Sequence, residues 1–157
     1  MEDGSFGKAW AVYLETHGFD PDARSQVHHI EDEELAWVLQ RYREVHDLWH
    51  VLTDLPPSIE GELALKWLEM TATGLPMPAL ASFVGPLRLL NSPRRLSFFL
   101  THLVPWAAST GSSCVDLLAV PYETILPLPI QEVRQNLGLS IAPRPPWDLK
   151  HVDTVGK

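Results

Sequence analysis

His46, Asp47, His50 and Glu62 are the residues of this chain whose types and spacing suit chemistry. On a helix, His46 and His50 stand one turn apart, and so do Asp47 and His50, so their side chains can converge on one point beside the helix. Two imidazole nitrogens with one or two carboxylates make a mixed nitrogen and oxygen donor set, which suits a borderline divalent ion. A plainer reading stands beside this one. Paired histidines next to an apolar stripe are often only packed and hydrogen-bonded. Glu62 shares a polar helical face with Lys66 and Glu69, so it could simply be a surface partner of Lys66, worth about 0.2–0.5 kcal/mol. The spacing leaves both readings open.

The elements that must position these residues are helical. Leu35, Val38, Tyr42, Val45, Trp49 and Leu52 recur at alternating steps of three and four, the period of an amphipathic helix. Asp32, Glu33 and Glu34 place negative charge where a helix N-terminus favours it, which predicts a helix over about 32–54. Leu55-Pro56-Pro57 ends it, and Ser58 is placed to cap a second helix running to about Thr73, with Leu63, Trp67 and Met70 on one face. A turn this tight returns the second helix antiparallel and brings Glu62, in its first turn or so, towards the histidines.

Elsewhere the punctuation is dense, with fourteen prolines and nine glycines. Phe6, Trp10 and Tyr13 are spaced for one face of a short helix over 6–14, followed by a loop over 18–29. Gly74 to Pro78 reads as a turn. A segment from Ala79 breaks at Gly85-Pro86, where proline removes a helical donor. Ser92-Pro93 reads as a cap followed by a first-turn proline, opening a helix towards Gly111 with a kink at Pro105. Cys114 to Val120 suits a short strand, Ile130 to Leu137 a last helix closed by Gly138, and 143–157 a polar, proline-rich tail. The expected architecture is mostly α: a single-domain helical bundle over 1–157 with a metal site between two antiparallel helices and room for one short strand.

The chain is 157 residues long, with 45% apolar and 20% charged residues, an ordinary composition for one globular domain. Its net charge of −8 argues against nucleic acid as the main partner, since phosphate binding needs clustered Lys and Arg. The lone Cys114 excludes a disulfide framework or a cysteine-rich metal site. The most apolar stretch, Leu96 to Ala108, carries Ser97, Thr101, His102 and Pro105, too interrupted to span a bilayer. The acidic N-terminus has neither a secretory core nor an arginine-rich transit pattern.

By spacing, the pair also resembles the His-Glu-x-x-His helix of metalloproteases, but the acid here is Asp47, directly after the first histidine. An aspartate is shorter than the glutamate that serves as general base there, which makes a protease reading poor. A fuller match lies elsewhere. His46-Asp47-x-x-His50, then eleven residues, then Glu62, resembles the zinc motif of the coenzyme Q (ubiquinone) biosynthesis protein 4 family. The lead-in from Glu31 to Val45, the Leu65-Lys-Trp-Leu-Glu69 segment, Thr73-Gly-Leu-Pro-Met77, Gly85-Pro-Leu-Arg88-Leu, Pro105-Trp-Ala107, Tyr122-Glu123 and Val133-Arg134 continue it. The similarity runs from about Phe6 to Leu139. Relative to that family, an N-terminal helical region and a mitochondrial targeting segment are expected to be missing from this chain, and Pro121, Pro127 and Pro129 interrupt a region that reads there as a strand leading into a helix.

The resemblance implies a role in ubiquinone biosynthesis: metal-dependent C1 decarboxylation, the oxidative variant included, of a 4-hydroxy-3-methoxy-5-polyprenylbenzoate. His46, His50 and Glu62 would be ligands to Zn2+, with Fe2+ left open, and Asp47 a fourth ligand or a base. The catalytic residues are otherwise unassigned. The alternative role is a non-catalytic, lipid-binding scaffold that organises the ubiquinone-synthesis enzyme complex around a structural metal. Implied partners are the polyprenylated substrate, other proteins of that complex and, peripherally, the matrix face of the inner mitochondrial membrane. Arg43 could orient a carboxylate. Trp49, Trp67, Phe83, Phe98, Phe99 and Trp106 could line a groove for a prenyl tail, although aromatics at helical spacing are more often core. His102 reads as a core histidine, and Arg94-Arg95 as a solvated helix end that could also meet anionic lipid.

Overall fold

The computed structural model describes residues 2–21, 27–28 and 30–147. Helices dominate: α1 Phe6–His17, α2 Glu33–Thr53, α3 Ile59–Thr73, α4 Pro76–Val84, α5 Pro93–Phe98, α6 Val104–Ser113, α7 Tyr122–Ile125 and α8 Ile130–Leu137. The loop expected over 18–29 falls partly outside the described residues, as does the tail expected over 143–157.

The two helices that carry the candidate ligands begin where their caps dictate. Asp32 accepts the Leu35 amide at 2.9 Å, and Ser58 accepts the Gly61 amide at 3.2 Å, each satisfying one orphan donor of a first turn. Helix α2 stops at Asp54, which adopts the left-handed conformation (φ 57°) and donates its amide back into the last turn. Its first turn overhangs the core, for Leu35 is exposed and Val38 half-buried, whereas Tyr42, Val45, Trp49 and Leu52 are buried. The apolar period was therefore longer than the surface it packs on.

Around α3 the packing is closest. It lies against α4 and α6, and a Cβ on Gly111 would collide with Thr71 and the Leu68 carbonyl, so only glycine lets α6 approach α3 this nearly. Helix α4 starts earlier than expected, because Pro76 fits a helical first turn and shortens the predicted 74–78 turn to its first two residues. At Gly85-Pro86 the coil tightens into a 3-10 turn, Gly85–Leu89, rather than ending outright. From Pro93 the helical path continues to Ser113 through a wide π turn at Phe99–Leu103. That turn ends two residues before Pro105, whose ring would collide with the carbonyl of Thr101 in a regular helix, and widening the coil there relieves the clash. Ser92 flanks the start of α5, but its side chain makes no capping bond, contrary to the sequence expectation.

The strand expected at 114–120 is instead a turn. Asp116 accepts the Leu118 amide through its side chain and the Ala119 amide through its carbonyl, an arrangement that aspartate favours over extended pairing. Among the described residues the β pairing is a single bridge between Ser5 and Pro129. The turn seats Leu117 in the core, and its carbonyl accepts from Tyr122, whose hydroxyl in turn accepts from the buried Trp49 indole at 2.8 Å.

The C-terminal end of α2 is closed from a distance. Arg134, buried on α8, donates from Nε to the Leu52 carbonyl at 2.7 Å and from Nη2 to the Val51 carbonyl at 3.2 Å. Its positive charge also opposes the negative end of the helix dipole. An Arg134→Met variant keeps the apolar stem but leaves both carbonyls without this donor. It should lose about 2–3 kcal/mol, read as a lower urea midpoint at unchanged slope.

Candidate metal centre

Contacts between α2 and α3 run in opposite order along the two helices: Tyr42 meets Glu69, His46 lies between Glu69 and Glu62, and His50 meets Glu62. That order is the antiparallel return expected of the Leu55-Pro56-Pro57 break. His46 Nε2 lies 3.5 Å and His50 Nε2 3.1 Å from the Glu62 carboxylate. Each nitrogen meets a different oxygen, Oε2 and Oε1, at a separation near the ~3.3 Å between neighbouring donors of a tetrahedral zinc ion with bonds near 2.0–2.1 Å. Among the described residues, His46, His50 and Glu62 form the group able to hold a metal ion, with one donor atom from each within 4.8 Å of the others.

Hydrogen bonds define which nitrogens are available. His46 Nδ1 lies 2.6 Å from Glu69 Oε1, a pure acceptor when ionised, and 3.5 Å from Lys66 Nζ, a pure donor; the much shorter contact to Glu69 places the ring proton on Nδ1. His50 Nδ1 lies 3.0 Å from the Leu55 carbonyl, which likewise can only accept. Both Nε2 lone pairs therefore face the Glu62 carboxylate. His50 Nε2 is buried and completes no hydrogen bond despite its 3.1 Å approach to Glu62. Two lone pairs aimed at a carboxylate repel unless a cation, proton or metal, lies between them. The donor chemistry fits a divalent ion.

His50 is 1% exposed, whereas the Glu62 side chain is 41% exposed, so the centre is dry on the α2 side and open on the α3 side. Tyr13 of α1 stacks on the His50 ring, with centroids 5.9 Å apart. Asp47 is half-buried next to His46 and is not part of the three-residue group. Glu62 does not pair with Lys66 as the surface reading had it: Lys66 donates instead to Glu69 at 2.8 Å and to the Tyr42 hydroxyl at 2.6 Å. The sequence reading places Tyr42 in the apolar stripe and Lys66 beside Glu62, and does not foresee that both converge on Glu69. Their spacing opposite the histidines, at i−4 from His46 and at i+4 and i+7 from Glu62, was the signal that could have found them.

Charge in the metal-free site follows from this geometry. Burial presses the His46 imidazolium down, but the carboxylates of Glu62 and Glu69 outweigh it and hold its pKa above the usual 6.5. Burial likewise works to raise Glu62, and the two histidines overcome it and hold its carboxyl well below the ordinary range. A metal must then displace a proton from His46 at any pH below that raised value. Affinity for a divalent ion should be flat well above it and fall about tenfold per unit below it, the fall beginning above pH 6.5. Competition titrations with a chromophoric chelator from pH 5.5 to 9 would read the profile, and a pH-independent affinity would contradict it.

The other candidates separate cleanly. Trp49, Phe98 and Phe99 are buried core. Trp67 packs edge-on against the exposed Phe83 and donates to the Ser82 carbonyl, and Trp106 donates to Ser140. His102 is exposed, stacked on Phe98 and bonded to Thr101, not a core histidine, because its stretch of helix turns this face to solvent. Arg95 forms a two-pronged ion pair with Glu60 of α3, and Arg94 lies over the Trp147 ring. Arg43 is half-buried.

The comparisons agree with this fold. Residues 1–143 match the family profile described as coenzyme Q (ubiquinone) biosynthesis protein Coq4. The bovine mitochondrial ubiquinone biosynthesis protein COQ4 homolog is 41% identical over 143 residues, 91% of this chain and 53% of the relative. The Coprinopsis cinerea protein named mitochondrial COQ4 is 42% identical over 147 residues, 94% of this chain and 50% of its own. The chain thus spans about half the length of these relatives. A crystal structure from Nostoc punctiforme, described provisionally as a ubiquinone biosynthesis protein, superposes with a TM-score of 0.76 at 18% identity, covering 88% of this chain and 64% of that one, a likeness of fold. With a family profile covering nearly the whole chain, this protein belongs to the coenzyme Q (ubiquinone) biosynthesis protein Coq4 family.

Proposed function

We propose that this chain serves ubiquinone biosynthesis as a metal-dependent carboxy-lyase, removing the C1 carboxylate of a 4-hydroxy-3-methoxy-5-polyprenylbenzoate. The observation that carries the reading is the pair of Nδ1-anchored histidines whose Nε2 atoms converge on the half-open carboxylate of Glu62. His46, His50 and Glu62 would hold the ion, zinc or iron, and Asp47 would serve as a fourth ligand or as the group that moves the proton. Bound there, the ion supplies Lewis acidity for a carboxylate, and iron would also open the oxidative route. The exposure of Glu62 leaves a side from which a ring carboxylate can approach, and the buried α2 side excludes water from the histidines.

A second reading, a lipid-binding scaffold with a structural metal, draws on a different surface. None of the chain's twenty acidic residues lies between Met70 and Val115, a stretch that carries Arg88, Arg94 and Arg95. Leu80, Phe83 and Leu87 project from it at 69%, 66% and 62% exposure. No described helix is long and apolar enough to cross a membrane. The exposed apolar side chains and the arginines of this stretch, of which Arg95 is already paired with Glu60, suit peripheral contact with an anionic bilayer, such as the matrix side of the inner mitochondrial membrane, and either role could use it.

The deciding experiment is release of labelled CO2 from a short-chain polyprenyl substrate by metal-loaded protein together with the other proteins of the pathway. Release that is lost in Asp47→Ala, with metal content and fold retained, supports the lyase. No release from the unaltered protein under the same conditions overturns it in favour of the scaffold.

A further inference from the structure

Glu69 is fully buried, and no ligand role falls to it. It accepts from three donors at once: Tyr42 at 2.5 Å, Lys66 at 2.8 Å and His46 Nδ1 at 2.6 Å. Burying a carboxylate carries a desolvation penalty of several kcal/mol, and well-packed apolar residues of similar volume often stabilise a fold as well or better. Stability alone is therefore a weak reason for this cluster. Its two oxygens divide the work: Oε2 takes Tyr42 and Lys66, while Oε1 is aimed at the one ring nitrogen of His46 that does not face Glu62. His50, by contrast, is anchored by a neutral backbone carbonyl.

We propose that Glu69 is the positioning residue of the metal centre: it holds the proton of His46 on Nδ1, so that Nε2 is presented to the ion, with Tyr42 and Lys66 fixing the carboxylate for that task. The assignment rests on the metal-centre reading of His46, His50 and Glu62. It makes the two histidines unequal. A carboxylate behind His46 strengthens it as a donor, as charged partners behind metal-bound histidines do, whereas His50 depends on the course of the chain at Leu55. Lys66 offsets the charge of Glu69 and is itself fastened to Tyr42, so the cluster is closed on the side away from the centre.

The test is the near-isosteric Glu69→Gln variant, read in two ways. In the metal-free protein at alkaline pH, where the His46 ring is neutral, long-range 15N–1H correlation spectra report the tautomer directly. The unaltered chain should show His46 protonated on Nδ1. Glu69→Gln should shift it towards the Nε2-protonated form, because the amide can turn its own N–H towards Nδ1, while His50 stays as it was. Co2+ affinity, followed by its visible bands, should fall about 10–100-fold in the variant. Tyr42→Phe, which keeps Glu69 but removes one of its donors, should show a smaller loss of about three- to tenfold, and it serves if Glu69→Gln does not fold. A His46 tautomer and Co2+ affinity unchanged by both substitutions would overturn the assignment alone. An unaltered chain that takes up no Co2+ would overturn the metal reading and this assignment with it.

Discussion

A His50→Ala variant is expected to purify without metal under conditions in which the unaltered chain carries close to one ion, with affinity lowered by about two to three orders of magnitude. The size follows from sharing. Protein zinc sites bind with about 10–16 kcal/mol in all, so each of three or four ligands accounts for roughly 3–4 kcal/mol, and each 1.4 kcal/mol is a factor of ten. His50 is also the ligand with least scope for replacement. It is buried, its Nε2 completes no hydrogen bond, and its Nδ1 is tied to the loop that leads into α3. The substitution also removes the partner of the Leu55 carbonyl and leaves a small void beside Tyr13, so the metal-free fold should weaken by about 1–3 kcal/mol. Chelator separates the two effects. It should lower the melting temperature of the unaltered chain, since a ligand at a hundred times its dissociation constant stabilises by about 2.7 kcal/mol, and leave that of His50→Ala where it was. Elemental mass spectrometry of both proteins, with and without chelator, checks the expectation. Equal metal content in the two would remove His50 from the ligand set.

The second large effect is expected at a residue with no side chain. Gly61 lies in the first turn of α3, directly before Glu62, and a Cβ there would overlap the Pro56 carbonyl. The obstacle is backbone rather than the tip of a flexible side chain, so Gly61→Ala must push α3 away from the Asp54–Ser58 connection. Overpacking of this kind costs about 1–3 kcal/mol, and more where the obstructing group cannot move. The displacement acts on the centre from two directions, because Glu62 rides on the shifted turn and Leu55, which anchors His50, belongs to the connection being pushed. Gly61→Ala should therefore lose both stability and metal affinity, whereas Gly85→Ala, whose obstruction is the end of the Leu63 side chain, should lose stability with the metal retained. Thermal melts and Co2+ titrations of the two variants distinguish them. Gly61→Ala with normal metal affinity would show that the connection does not set the geometry of the site.

Much of the centre was legible from local rules. His46 and His50 one turn apart, an acidic start at Asp32, the Pro-Pro break and a Ser58 cap together specify a helical hairpin with both histidines near its closed end, and the structure follows that outline closely. These features depend on neighbours within a turn or two, and the physics that governs them is likewise local. The family resemblance rested on the same residues and on segments spread along the chain.

Other features required the packed molecule. The run at 114–120 has the composition of a strand, but a strand needs a partner, and the run instead folds into a turn closed by Asp116 and held by the buried Tyr122. Leu35 continues the apolar period of α2 one step beyond the point where there is anything to cover it. His102 sits in an apolar run yet faces solvent, since periodicity specifies that a face exists and not what lies against it.

By itself the sequence determined the two long helices of the hairpin, their caps at Asp32 and Ser58 and the pairing of His46 with His50 on one helical face, because each depends on residues three or four apart. Only the tertiary structure decided which nitrogen of each histidine is free, that Lys66 belongs to Glu69 rather than to Glu62, and that Arg134 closes α2 from 82 residues away. Those outcomes turn on hydrogen bonds between elements, where the direction of one carbonyl or carboxylate sets the chemistry, and no spacing along the chain encodes that direction.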